Sequence, residues 1–154
     1  MDVIVNYILS KFWQWAGITP KEYATSGIPL TSEKAPFNYP LFDQLVGYAK
    51  QLLMHKELTK EELSDFLTIM ALDNETEDVL DFATDNATES QIQQILQFGV
   101  KFPQFEARWQ LAELAYRRKP NRYLEYLNIL YHDSNDYVKK RAGNCLEYLG
   151  VKKE

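Results

Sequence analysis

Thr59-Lys60-Glu61-Glu62-Leu63-Ser64-Asp65-Phe66-Leu67-Thr68-Ile69-Met70-Ala71 is the stretch from which the fold is read. Leu63, Phe66, Leu67, Met70 and Ala71 fall at i, i+3, i+4, i+7 and i+8, which puts them on one face of an α-helix. Thr59 stands where a helix cap belongs, with Glu62 placed to return the bond. The pattern then recurs. Leu63, Phe66 and Ile69 are answered by Ile92, Ile95 and Phe98, and again by Leu124, Leu127 and Leu130, with identical spacing inside each trio. A second series alternates with the first: Val79 and Ala83, then Phe105, Trp109 and Ala112, then Val138, Ala142 and Cys145. The first series shifts by 29 and then 32 residues, the second by 26 and then 33. Residues 59–150 therefore read as six amphipathic helices in three pairs. A two-helix unit of this period is the signature of an α-solenoid, in which each pair needs its neighbours to bury its apolar face.

Working outward, residues 3–16 form an amphipathic helix with Val5, Ile8, Leu9, Phe12 and Trp13 near one face, stopped by Gly17. Thr19-Pro20-Lys21-Glu22 offers a cap, a first-turn proline and a capping-box glutamate, so a short helical turn follows. Residues 25–40 read as a loop that Phe37 and Tyr39 pin to the surface, and a further helix covers about residues 40–54. The expectation is an all-α chain: a single domain over 1–154, with residues 1–56 an N-terminal helical cap and residues 57–150 the repeats. The cap has a purpose, since a terminal repeat needs its apolar face covered. Phe12, Trp13 and Trp15 serve either that purpose or the joining of two copies.

Later boundaries are set by Asn74 and Thr88 as caps, Pro103 as a first helical residue, Arg117-Arg118-Lys119 before Pro120 as a cationic end, Asn121 as a start and Gly150 as a stop. Asp136-Tyr137-Val138-Lys139-Lys140-Arg141-Ala142-Gly143-Asn144-Cys145-Leu146-Glu147-Tyr148-Leu149-Gly150 resembles the second helix of a HEAT repeat, with a turn aspartate, a valine, an arginine three later, an alanine and closing leucines. Phe105, Arg108, Trp109 and Ala112 repeat it more weakly, and Glu113 stands where Leu146 would imply an apolar residue. The resemblance implies a structural task for Arg108, Arg141, Asp133 and Asp136, because such repeats bond arginine to aspartate across neighbouring units.

Charge narrows the partners. The net charge of -5 divides into +1 over residues 1–56, -10 over 57–100 and +4 over 101–154. Cys145 is the sole cysteine, which excludes an intrachain disulfide and fits a reducing compartment. The first residues lack the positive charge of a secretory signal, and Asn6, Ser10, Lys11 and Gln14 interrupt their apolar run, so no membrane span is expected and a cytoplasmic location is.

Catalytic chemistry is hard to assemble. There are two histidines, His55 and His132, both near helix ends, and Cys145, the third member of a paper triad with His132 and Asp133, falls on an apolar stripe. No phosphate loop occurs, and the acids at Asp73, Asn74, Glu75, Glu77 and Asp78 lack calcium-loop spacing and glycine, so a capped helix start explains them. No cofactor, metal or enzymatic activity is expected. The distinctive surface is acidic: Asp78, Asp81 and Asp85, with Glu77 beside them, form a stripe opposite Val79 and Ala83. The expected function is a non-catalytic module that binds a basic protein through Glu77, Asp78, Asp81 and Asp85, as small acidic bacterial immunity proteins do with basic toxins. Two readings stand behind it. One is nucleic-acid binding or repair through Arg108, Trp109 and the basic clusters Arg117-Arg118-Lys119 and Lys139-Lys140-Arg141; the other is a small-molecule enzyme with its site between the cap and the repeats, under the 25–40 loop.

Overall fold

Period-3.6 patterning becomes helix wherever the sequence carries it. In the computed structural model, which describes residues 2–25, 32–54 and 57–153, the described residues form nine α-helices and no strand. They are α1 (Asp2–Ala16), α2 (Pro20–Thr25), α3 (Phe42–Leu52), α4 (Lys60–Leu72), α5 (Asp78–Asn86), α6 (Glu89–Gly99), α7 (Phe105–Arg118), α8 (Tyr123–Tyr131) and α9 (Asp136–Tyr148). The six helices read over residues 59–150 are α4 to α9. The stretch read as a loop is partly ordered by 3-10 turns at Ser32–Lys34 and Pro36–Asn38, while residues 26–31 lie outside the described residues. Tyr39 is buried as an anchor should be, but Phe37 is exposed.

Helix ends follow capping chemistry, with three departures from the sequence reading. Thr59 and Glu62 complete a capping box on α4, and Thr88 and Gln91 complete the same box on α6, a glutamine replacing the glutamate. At the other extreme Gly150, with φ +71°, closes α9: its N–H donates to the Glu147 carbonyl at 3.0 Å and that of Val151 to the Leu146 carbonyl at 2.9 Å. Asn74 does not cap α5. Its amide donates back to the Ala71 carbonyl at 2.8 Å, and Asp73 takes the capping role, accepting from the Val79 N–H at 2.8 Å and from the Thr76 hydroxyl. Pro103 lies two residues before α7, whose N-cap is Gln104, and Asn121 precedes α8, which starts after Arg122 in a left-handed conformation. In both places the helix starts two residues later than the nearest helix-start signal suggests.

Two helices carry the core. On α4 Phe66, Leu67, Ile69, Met70 and Ala71 are fully buried, and on α7 Ala107, Leu111, Ala112, Leu114 and Ala115 are. A helix apolar on more than one face must be enclosed, and α4 packs against α1, α3, α5, α6 and α7 while α7 packs against α4, α5, α6, α8 and α9. The buried apolar residues form one continuous cluster from Leu9 to Leu146, so the N-terminal helices share the core of the later ones. Glutamines stitch the layers where apolar residues do not. Gln110, fully buried on α7, donates to the Met70 carbonyl of α4 at 2.8 Å. Gln94 of α6 pairs with both backbone groups of Leu58, at 3.1 and 3.0 Å, and Gln91 donates to the Leu53 carbonyl at 3.0 Å. These bonds pin α6 to the connection between α3 and α4.

Candidate functional site

The acidic surface is built on α5. Val79, Leu80 and Ala83 point into the core, which leaves Asp78, Asp81 and Asp85 exposed along the opposite edge. Glu77 is only half-exposed and adopts φ +58° as the N-cap residue, so its backbone shapes the turn into the helix. Asp81 does not stand alone: Arg117 of α7 reaches it at 2.9 Å. The stripe is therefore an edge with acids at each end and a neutralised middle.

Arg117 belongs to a wider pattern, since all five arginines of the chain are engaged by their own protein. Arg108 forks onto Asp133 at 2.7 and 3.0 Å and also donates to the carbonyls of Phe102 and Pro103. Arg118 inserts its guanidinium at the end of α5, donating to the carbonyls of Ala83, Thr84 and Ala87 at 3.4, 3.3 and 2.6 Å. Arg122 grips Glu125, and Arg141 binds Glu113 at 2.7 Å while donating to the Tyr137 hydroxyl at 2.8 Å. Arg108 and Asp133 thus meet across 25 residues as the resemblance implied. Arg141 takes Glu113 instead of an aspartate, which accounts for the acid at that position, and Asp136 is exposed in the first turn of α9. The cations at the end of α7 also serve a different helix from the one expected: Arg118 closes α5.

Between α7 and α9 the same arginine sits in an aromatic seam. The Arg141 guanidinium lies 4.4 Å from the Trp109 ring centre, Trp109 meets Tyr137 edge-on at 5.6 Å, and Tyr116 meets Tyr148 at 6.0 Å. Tyr137 and Tyr148 are exposed, at 41% and 72%, so the seam presents aromatic surface.

The paper triad does not assemble. The Cys145 thiol is buried against the Ala112 carbonyl, and burial together with Glu113 pushes it up to about 12, so it stays protonated and inert. His132 bonds the Asn128 carbonyl through Nδ1 at 2.9 Å and Asp133 is committed to Arg108. His55 lies outside the described residues. Among the described residues no group of three or more histidine, cysteine, aspartate or glutamate side chains could hold a metal ion, and no helix is long and apolar enough to cross a membrane.

A concave site does exist where α1, α2 and α4 meet. A cleft of about 640 Å³ is walled by Leu9, Trp13 and Ile18 on one side and by Ser64, Asp65 and Thr68 of α4 on the other, with Glu22 at its α2 side. It lies between the N-terminal helices and α4, and none of the residues lining it belongs to the 25–40 stretch under which the third reading places a small-molecule site. Beside it, Tyr23 of α2 stacks near Trp13 at 5.5 Å and bonds Glu106 of α7. Burial raises both groups above their ordinary values, and for Glu106 that outweighs the opposing pull of Tyr23 and Arg108. A carboxyl with a raised folded pKa binds more protons folded than unfolded, so its share of stability is present at acid pH and is lost as pH rises through the folded value. Asp73, raised by burial as well, acts in the same direction. Glu106→Gln should therefore unfold at higher denaturant than the parent at pH 7.5, with the difference shrinking toward pH 4.5; a variant weaker at pH 7.5 whose deficit shrinks toward pH 4.5 would show instead that the charge stabilises the fold.

Comparison with protein-family models, curated proteins and solved structures finds no match to this chain. The residues that the sequence reading passed over are Asp65, Ser64 and Thr68, which sit on the polar side of the strongest helix, and Tyr23 and Glu106. Nothing local marks them, because their proximity is made by packing between distant helices.

Proposed function

We propose that this chain is a short HEAT-like α-solenoid of three helix pairs under an N-terminal helical cap, and that it works without catalysis as a protein-binding module for a basic protein. The observation that supports this most is the α5 edge, where Asp78 and Asp85 face solvent while α5 itself is held at both ends by Asp73 and Arg118. A rigid acidic edge steers a cationic partner and fixes its register. The exposed rings of Tyr137 and Tyr148 add the aromatic area that interfaces favour. Shielding a cell from a basic toxin, as bacterial immunity proteins do, is the most concrete form of this role, with a cytoplasmic setting.

The nucleic-acid alternative is weaker. Phosphate recognition uses the arginine fork above all, and here every arginine is engaged within the chain, leaving lysines such as Lys139 and Lys140 exposed. The test is affinity purification from the native cell with sizing of what co-elutes, followed by Asp78→Lys and Asp85→Lys together. A stoichiometric basic partner should be recovered, and its affinity should fall at least about a hundredfold on the double reversal, with the loss smaller at high salt. A partner retained unchanged would remove α5 from the interface, and steep salt-dependent retention of duplex DNA by the chain alone would favour the alternative.

A further inference from the structure

We propose that the recess where the C-terminal tail folds back over α9 binds a small phosphate monoester. The claim is independent of the protein-binding reading, since it concerns α9 and not α5. The recess measures about 290 Å³, near the lower end of small-ligand sites. Lys139 and Lys140 of α9 and Lys153 of the tail line it, with Tyr131 from the end of α8 and Asn144 adding a phenol and an amide. Its one acid is Asp136. A cation would meet three ammonium groups there. A dianion answers them better than a monoanion does, and a phosphate monoester carries close to two negative charges at neutral pH. The Tyr131 hydroxyl and the Asn144 amide are uncharged donors to the same oxygens, and the Tyr131 ring is a wall for an organic body.

Two glycines build the recess. Gly143 is buried on α9, and a Cβ placed there would stand 3.2 Å from Tyr131 Cε1 and 3.7 Å from Lys153 Cδ, so the ring and the lysine stem lie close over bare backbone. Gly150, in its left-handed conformation, ends α9 and turns the tail back, which returns Lys153 to Gly143. Lys139 and Lys140 precede Gly143 by four and three residues and so share its side of the helix. Among the described residues neither of them forms an ion pair, whereas all five arginines are engaged. Lys153 lies 3.7 Å from Glu147, and with the two side chains 39% and 69% exposed this loose pair exchanges readily for a ligand. Asp136 stands in the first turn of α9, roughly 10 Å along the axis from Gly143, so it opposes an anion only through water.

Phenyl phosphate, phenyl sulfate and inorganic phosphate, titrated separately into the full chain at pH 7.5, test the proposal through the amide resonances of Gly143 and Asn144. Phenyl phosphate should move both resonances and bind at least about fivefold tighter than either of the other two. Lys139→Gln with Lys140→Gln should weaken it at least about tenfold. Lys101→Gln with Lys152→Gln removes the same charge from exposed positions outside the recess and should leave its affinity within about twofold. All four lysines are exposed, so neither pair of changes threatens the fold. No shift up to about 10 mM phenyl phosphate, or equal weakening by the two double variants, would overturn the site. Inorganic phosphate or phenyl sulfate binding as tightly as the monoester would overturn the ligand class. Displacement of phenyl phosphate by a lower concentration of a short DNA duplex would overturn it too, giving these lysines to nucleic acid.

Discussion

Arg108→Ala should destabilise the fold by about 3 kcal/mol, enough to raise the unfolded fraction by more than a hundredfold. The reason is what the substitution leaves behind. Arg108 and Asp133 are 13% and 7% exposed, their bonds are 2.7 and 3.0 Å in bidentate geometry, and the same guanidinium satisfies the Phe102 and Pro103 carbonyls. Without it, a buried carboxylate keeps only the Asn135 N–H at 2.8 Å, and two carbonyls before α7 lose their donor. Arg108→Lys should recover less than roughly half of the loss, because an ammonium cannot span both carboxylate oxygens and the carbonyls together. Denaturant midpoints at constant m-value give the measurement, with Asp133→Ala and the double variant closing the cycle. A loss below about 1 kcal/mol for Arg108→Ala would place the pair among ordinary surface ion pairs.

Ile92→Ala and Leu124→Ala should differ by about 2 kcal/mol or more, although the two positions are equivalent in the repeat pattern. Ile92 is fully buried on α6, and truncating it opens a cavity between α6 and its neighbours, at a cost of about 3 kcal/mol. Leu124 is 41% exposed, and α8 packs chiefly on α7 and α9, so its outer side has no helix to cover it. Its truncation should cost under about 1 kcal/mol. Equal losses in thermal or denaturant unfolding would mean that Leu124 is covered in solution, as it would be by a second copy.

That pair shows what the sequence could and could not reveal. Apolar residues at i, i+3 and i+6 announce a helix with an apolar face in α4, α6 and α8, and the looser series from Val79 to Cys145 announces α5, α7 and α9. Whether a given face has a neighbour depends on the order in which helices stack, which leaves Leu124 exposed and Ile92 fully buried with no difference in their local text. Phe105 shows the same limit, being 37% exposed where the pattern asks for core. The acidic residues of α5 were legible because charge opposite Val79 and Ala83 needs only helical geometry. The cations that meet this helix were not, since Arg117 reaches Asp81 from 36 residues away and Arg118 reaches the Ala87 carbonyl from 31. The same holds for the cleft, whose acids Glu22 and Asp65 come from separate helices.

Arg118 carries a consequence beyond its three bonds. A helix as short as α5, nine residues, does not persist by itself in water, and both of its ends are finished by groups from outside it: the Asp73 carboxylate at one and the Arg118 guanidinium at the other. The acidic edge is thus a borrowed helix. Its existence depends on α4 and α7, so heat or mutation that loosens the far end of α7 would dissolve the acidic edge before touching any residue on it, and any molecule that bound α5 would stabilise α7 in return.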